Sequence, residues 1–129
     1  MEVERFEKLV AAAVASLPEE FRELMDNVDV VVQDLPSPWQ SRHVRRGSVV
    51  LGLYEGVPRT RRTLGYNLVV PDKITVFQTP LEAMYTSETE LEAAICEVVI
   101  HEVAHHFGLD DEQLAEIEKI KRKKHGRIL

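Results

Sequence analysis

The spacing of apolar residues predicts helices at the start of the chain. Apolar side chains recur every three or four positions over residues 2–16, which predicts an amphipathic helix. Pro18 suits the first turn of a second, short helix, because proline needs no N–H partner there. The inner face of that helix would carry Phe21, Leu24 and Met25.

Four short runs rich in valine, isoleucine and leucine then predict strands. They cover residues 28–32, 48–54, 68–70 and 74–77. The arginine-rich stretch up to Gly65 is predicted to be a loop, and the last strand should stop before Pro80. Strand residues are therefore confined to the middle of the chain.

Two helices are predicted to complete the chain. Ser87 and Glu90 form a capping box at the start of a long helix, and Gly108 suits the turn that ends it. Asp110 and Gln113 repeat the capping-box pattern and predict a last helix. The order of helices, strands and two further helices indicates an α+β fold, and we expect one domain over residues 1–129.

Composition places the chain among ordinary globular proteins. Of the 129 residues, 44% are hydrophobic and 29% are charged. No apolar run approaches the roughly 20 residues needed to cross a bilayer, and the first residues lack the basic start of a signal peptide. Cys96 is the only cysteine and is expected to face the core without chemistry of its own. A cytoplasmic location fits these features.

The net charge of −6 is unevenly distributed. Residues 74–118 contain no lysine or arginine, whereas residues 119–129 contain no acid. Helix dipoles favour this arrangement, because acids stabilise helix starts and bases stabilise helix ends. An alternative is that arginines of the middle segment bind an anion or an acidic partner. These are Arg42, Arg45, Arg46, Arg59, Arg61 and Arg62.

The candidate chemistry lies at the end of the long helix. His101 and His105 are one helical turn apart on one face, so both imidazoles can reach one metal ion. Glu102 beside them can accept a proton from a water molecule as general base. Gly108 permits a turn that can bring Asp111 back as the third ligand. Three protein ligands leave one zinc position open, which is typical of a catalytic site.

Neighbouring residues offer alternatives for parts of this site. Asp110 fits better as an N-cap than as a ligand, whereas Glu112, Glu116 and Glu118 remain alternative third ligands. His106 lies about 100° around the helix from His105, so it is expected either to pack against its neighbours or to support the metal ligands without binding the metal. The oxyanion stabiliser cannot be chosen from sequence. Its candidates are Tyr54, Tyr66, Tyr85 and the arginines of residues 59–62.

The chain resembles the small bacterial minimal zincins, a family of zincin-like metallopeptidases with the pattern HExxHxxGxxD. Three segments carry the resemblance: residues 51–58, 71–75 and 101–112. It implies a compact zincin core, in which a small mixed sheet packs against N-terminal helices, an active-site helix and a C-terminal helix. It also implies Zn²⁺ held by His101, His105 and Asp111, with Glu102 as the catalytic residue.

The resemblance leaves the substrates of the family unassigned, so a peptide or protein substrate is inferred from the site itself. Neither a membrane nor nucleic acid is expected as a partner, because the chain lacks a long apolar run and its surface is acidic. In the wider zincins the peptide lies along a sheet edge above the active helix, and residues 74–78 are expected to form that edge. Oligomeric state does not follow from the sequence.

Two rival interpretations remain open. Bacterial proteins of ribosomal RNA maturation share the ligand spacing, but they lack the glutamate and have histidine as third ligand. Glu102, Asp111 and the acidic surface argue against a metal-dependent ribonuclease, although the arginine segment favours it. A non-catalytic module is the other alternative, in which a metal only stabilises a small domain.

Overall fold

The computed structural model of the chain describes residues 1–45, 47–56, 63–64, 68–110 and 112–116. The elements within these ranges are the helices α1 (Val3–Ala15), α2 (Glu19–Leu24), α3 (Gln78–Met84) and α4 (Glu88–His106), and the strands β1 (Val28–Gln33), β2 (Gly52–Glu55), β3 (Thr63–Leu64), β4 (Leu68–Val69) and β5 (Asp72–Phe77). Residues 112–116 are also helical.

Strand β5 is the middle strand of a three-stranded mixed sheet with the order β1-β5-β2. Strand β1 runs parallel to β5, with Val28 opposite Asp72. Strand β2 runs antiparallel to β5, with Gly52 opposite Val76. All residues of β5 except Lys73 are buried, so both faces of residues 74–77 are covered and their sequence does not alternate between apolar and charged residues. Strands β3 and β4 pair separately.

The core lies between α1, α4 and the sheet. Phe6 and Ala13 of α1 are fully buried, as is Phe21 of α2. Helix α4 packs against α1 and also against β2 and β5. Its buried residues are Leu91, Ala94, Ile95, Cys96, Val99, Ile100, Val103 and Ala104. The α+β fold, the N-terminal helices and the buried position of Cys96 are confirmed.

Three local predictions were wrong. The strand predicted from residue 48 begins only at Gly52. Thr63–Leu64 forms a short strand within the segment predicted to be a loop. Helix α3 was missed because Pro80 was taken as a breaker, whereas it lies in the first turn of α3, where no intrahelical N–H bond is lost.

Gly52 allows β2 to approach α4 closely. A β-carbon added at Gly52 would overlap Cγ1 of Val98 and lie 3.2 Å from the carbonyl oxygen of Thr75. The valine cannot easily turn aside, because β-branched side chains in helices are restricted to one strongly preferred rotamer. The absence of a side chain at residue 52 therefore sets the distance between the sheet and the active-site helix.

We expect Gly52→Ala to lower the free energy of unfolding by about 1–3 kcal/mol, because the added methyl group overpacks this contact. Urea unfolding of the single and double variants tests the cause. Val98→Ala removes the overlapping atom, so Gly52→Ala should cost less in that background. Strictly additive costs would contradict the proposed contact.

Candidate active site

The end of α4 carries the three candidate residues in a well-defined helix. The Ser87 hydroxyl accepts a hydrogen bond from the Glu90 N–H at 3.1 Å, which caps the start of α4 as predicted. The helix ends at His106, and Gly108 follows with φ of 67°, in the left-handed region that favours glycine. His101, Glu102 and His105 therefore occupy the last two turns of a rigid element.

These three side chains line one open groove of about 440 Å³. The groove lies between α4 and the chain segment that leads into β2. Apart from the candidate residues and Glu97, its lining is largely apolar: Val44, Val49, Val50, Leu51, Gly52, Tyr85, Ala94 and Val98. The prediction that the two imidazoles and the carboxylate share one surface is consistent with this arrangement.

Both histidines are accessible to solvent. The side chain of His101 is 58% exposed, and its Nε2 atom lies 3.3 Å from a carboxylate oxygen of Glu97, one turn earlier in α4. His105 is also exposed. Histidine ligands of metals commonly place their second nitrogen on a carboxylate, so the His101–Glu97 contact suits a ligand whose other nitrogen faces a metal. Two accessible imidazoles beside a carboxylate fit a zinc ion in the chemistry of their donor atoms.

Glu102 is held differently from the histidines, because its side chain is half-buried. Burial raises the pKa of the Glu102 carboxyl above its usual range, since desolvation penalises the charged form. The charges of His105 and His101 oppose this rise in pKa, as does a hydrogen bond that the Tyr54 backbone N–H donates to the carboxylate. Glu102 is thus a partly desolvated carboxylate tied to β2.

The third ligand is not defined by the described residues. Asp111 lies outside them, and so does Glu118. Within the described ranges, no group of three or more His, Cys, Asp and Glu is placed to hold a metal ion. Asp111 as a ligand therefore stays a prediction.

Asp110 has the capping role that its sequence context indicated. Its carboxylate accepts the Gln113 N–H at 2.7 Å, and the Gln113 side-chain oxygen accepts the Asp110 N–H at 3.0 Å. This reciprocal pair is a complete capping box. It starts the helix that includes residues 112–116, where Glu112 and Glu116 are exposed.

The expectation that residues 74–78 form an edge of the sheet was wrong. Residues 74–77 belong to β5, which is paired on both sides, and Gln78 begins α3. In the part of the chain that the structure describes, β2 is an edge strand of the sheet, and it lies beside the groove. The Phe77 N–H donates to the Leu51 carbonyl at 3.0 Å. Leu51 and Phe77 are therefore a hydrogen-bonded pair of the antiparallel ladder. Such pairs alternate with pairs that share no hydrogen bond, so Gly52 and Tyr54 direct their N–H and C=O groups away from β5.

Asp72 is a buried acidic residue near the end of α4 whose contacts the sequence did not reveal. It is 4% exposed and accepts a hydrogen bond from the Tyr54 hydroxyl at 2.7 Å. The Tyr54 ring is stacked on His106 with 3.8 Å between ring centroids, which confirms the packing role of His106. The sequence did show an acidic residue at the start of a strand predicted to be buried, which indicates that the carboxylate needs a partner. It did not show that this partner is Tyr54, 18 residues earlier in the chain.

Two further groups of candidates are only partly described. Of the oxyanion candidates, Tyr85 lines the groove, whereas Tyr66 and the arginines of residues 59–62 lie outside the described residues. Arg42 packs over the Trp39 ring at 3.7 Å and donates a hydrogen bond to the Trp39 carbonyl. Arg42 thus contributes to the structure of its own segment, and anion binding by the arginines stays a prediction.

The family of the chain follows from a match to most of its length. The family model described as zincin-like metallopeptidase matches residues 25–120. The chain belongs to the zincin-like metallopeptidase family. The matched region includes the whole sheet and all of α4, so the family resemblance seen in the sequence is confirmed. Membership supports a metallopeptidase function and implies a metal, typically zinc.

A solved structure supports the same fold. A conserved hypothetical protein from Thermus thermophilus is 22% identical, with a TM-score of 0.53 over 83% of this chain and 94% of the other. No curated protein matches the chain by sequence. Across the described part of the chain, no helix combines the length and apolar character that spanning a bilayer requires.

Proposed function

We propose that this protein is a zinc-dependent metallopeptidase in which Glu102 is the general base and His101, His105 and Asp111 hold the metal. The observation that carries the proposal is the placement of Glu102. Its carboxylate is half-buried beside two exposed histidines on one groove, and a backbone N–H of β2 holds it. In the same proposal, residues 1–129 form one domain that acts in the cytoplasm.

In the proposed reaction, the metal and Glu102 have different roles. Bound zinc supplies Lewis acidity that polarises the scissile carbonyl and makes water a competent nucleophile near neutral pH. Glu102 accepts the proton that the attacking water loses, and later delivers it to the departing amine. A raised pKa suits both steps, because a stronger base accepts the first proton more readily and its acid form persists until the amine leaves.

The substrate is proposed to be an extended peptide lying along β2. Gly52 directs its N–H and C=O groups toward the edge of the sheet as described, where a peptide main chain can bond to them. The groove beside Glu102 is walled by valines at positions 44, 49, 50 and 98, so it favours an apolar substrate side chain next to the scissile bond. Acidic side chains would also meet Glu97 there, which disfavours them further.

Peptide hydrolysis by the metal-loaded protein tests this function. We expect cleavage of a peptide library next to Val, Leu or Phe, loss of cleavage with a chelator, and recovery on adding Zn²⁺. Burying one such side chain contributes roughly 1.5–3 kcal/mol, so the preference over Asp should reach at least about tenfold in kcat/KM.

An RNA substrate in the same assay separates the rival hydrolase. Metal-dependent cleavage of RNA but not of any peptide would contradict the peptidase proposal. Zinc binding that raises the unfolding temperature without cleaving either substrate would instead identify a non-catalytic, metal-stabilised module.

A further inference from the structure

We propose that Asp72 is a positioning residue for the catalytic base, acting through Tyr54. The inference rests on the proposed role of Glu102. We call Asp72, Tyr54 and His106 the Asp72 clamp. Its function would be to fix the segment of β2 whose backbone N–H holds the Glu102 carboxylate.

The first part of the clamp joins two neighbouring strands. Tyr54 lies opposite Ile74 in the sheet register, so Asp72 is its diagonal neighbour on the same face. The tyrosine hydroxyl donates to Asp72 Oδ2 at 2.7 Å. Because Asp72 is 4% exposed, this hydrogen bond is largely shielded from competing water. A short hydrogen bond in such a place restricts the tyrosine ring.

The second part joins the strand to α4. The His106 ring is stacked on the Tyr54 ring at 3.8 Å with an interplanar angle of 12°, and its Nε2 atom is 3.8 Å from Asp72 Oδ2. Phe107 meets both rings edge-on. A β-carbon at Gly56 would lie 3.4 Å from His106 Cε1, so the residue that follows β2 also lies close to this ring. The residue after His105 is thus packed directly against β2.

The third part is the hydrogen bond to the base. By the alternation of ladder bonds, the Tyr54 N–H points away from β5 rather than into the sheet. The Glu102 carboxyl lies on that side of β2, where the Tyr54 N–H lowers its pKa. The side chain of Tyr54 therefore sits between Asp72 and His106 while its backbone N–H orients Glu102. Releasing the ring would allow this N–H to move, and the carboxylate would lose a fixed donor.

Tyr54→Phe tests the clamp, because it removes the hydroxyl but keeps the ring and the backbone N–H. Amide hydrogen exchange in the metal-free protein gives a readout independent of activity. We expect exchange at residue 54 to accelerate at least about tenfold, and exchange at Leu53 to change much less because Leu53 bonds within the sheet ladder. In the zinc-loaded protein, kcat should fall by about 10- to 100-fold with KM little changed.

Val10→Ala is the matched control, because it destabilises the core in α1 away from the clamp. If the role of Tyr54 is purely structural, Tyr54→Phe should accelerate amide exchange at residue 53 as much as at residue 54, as Val10→Ala does. The two variants should then also have similar kcat values. That result would overturn the inference. If the wild-type protein cleaves no peptide, the proposed function fails, but the exchange rates still decide whether Asp72 fixes the Tyr54 N–H.

Discussion

Glu102→Gln is expected to lower kcat/KM for peptide hydrolysis by about 10²–10⁴-fold while the zinc content stays unchanged. Glutamine has nearly the same shape, and its carbonyl oxygen can still accept the hydrogen bond from the Tyr54 N–H. It cannot accept a proton from water. Because burial disfavours the Glu102 carboxylate, a neutral side chain should leave the unfolding temperature unchanged or slightly higher.

Glu92→Gln is the matched control, because it makes the same change earlier on α4 and away from the groove. Metal analysis, thermal unfolding and peptide kinetics on both variants and the wild type separate catalysis from structure. Full activity in Glu102→Gln would remove the general base from the mechanism. A loss of zinc in this variant would make Glu102 a ligand instead.

His105→Ala is expected to weaken zinc binding by more than about 100-fold, because even groups that only support a metal ligand contribute 10- to 100-fold. Protein purified without chelator should contain one zinc per chain in the wild type and almost none in this variant. Zinc at 100 times its Kd stabilises a folded protein by about 2.7 kcal/mol, which corresponds to roughly 10 °C in the unfolding temperature. The variant should lose this shift.

His43→Ala provides the control for the histidine substitution, since His43 is exposed and does not line the groove. It should keep both the zinc and the thermal shift. Asp111→Ala extends the same measurement to the predicted third ligand. Retention of zinc by His105→Ala, with an unchanged thermal shift, would contradict the metal site at the end of α4.

The helix that carries the site was predictable because its signals are local. Ser87, Gly108 and the Asp110–Gln113 pair act through hydrogen bonds and backbone angles within a few residues of their own position. The histidine spacing is likewise a property of any α-helix. Start, end and active face of α4 could therefore be inferred without knowledge of the rest of the fold.

The peptide edge and the clamp were not predictable in this way. The sequence of β5 indicates a strand but does not say which strands flank it, so residues 74–78 were expected to form a sheet edge that belongs instead to β2 in the described sheet. Asp72 and Tyr54 are 18 residues apart, and only the antiparallel register brings them together. The short approach at Gly52 also depends on where α4 crosses the strand.

The sequence by itself determined the helices α1, α2 and α4, the candidate donors to the metal and the family, because capping, helical periodicity and motif spacing are encoded over a few turns of chain. Tertiary structure alone decided which strand borders the groove, how far Glu102 is buried and which groups hold it. The physical reason is that burial, and with it the pKa of a carboxylate, depends on packing between segments distant in sequence.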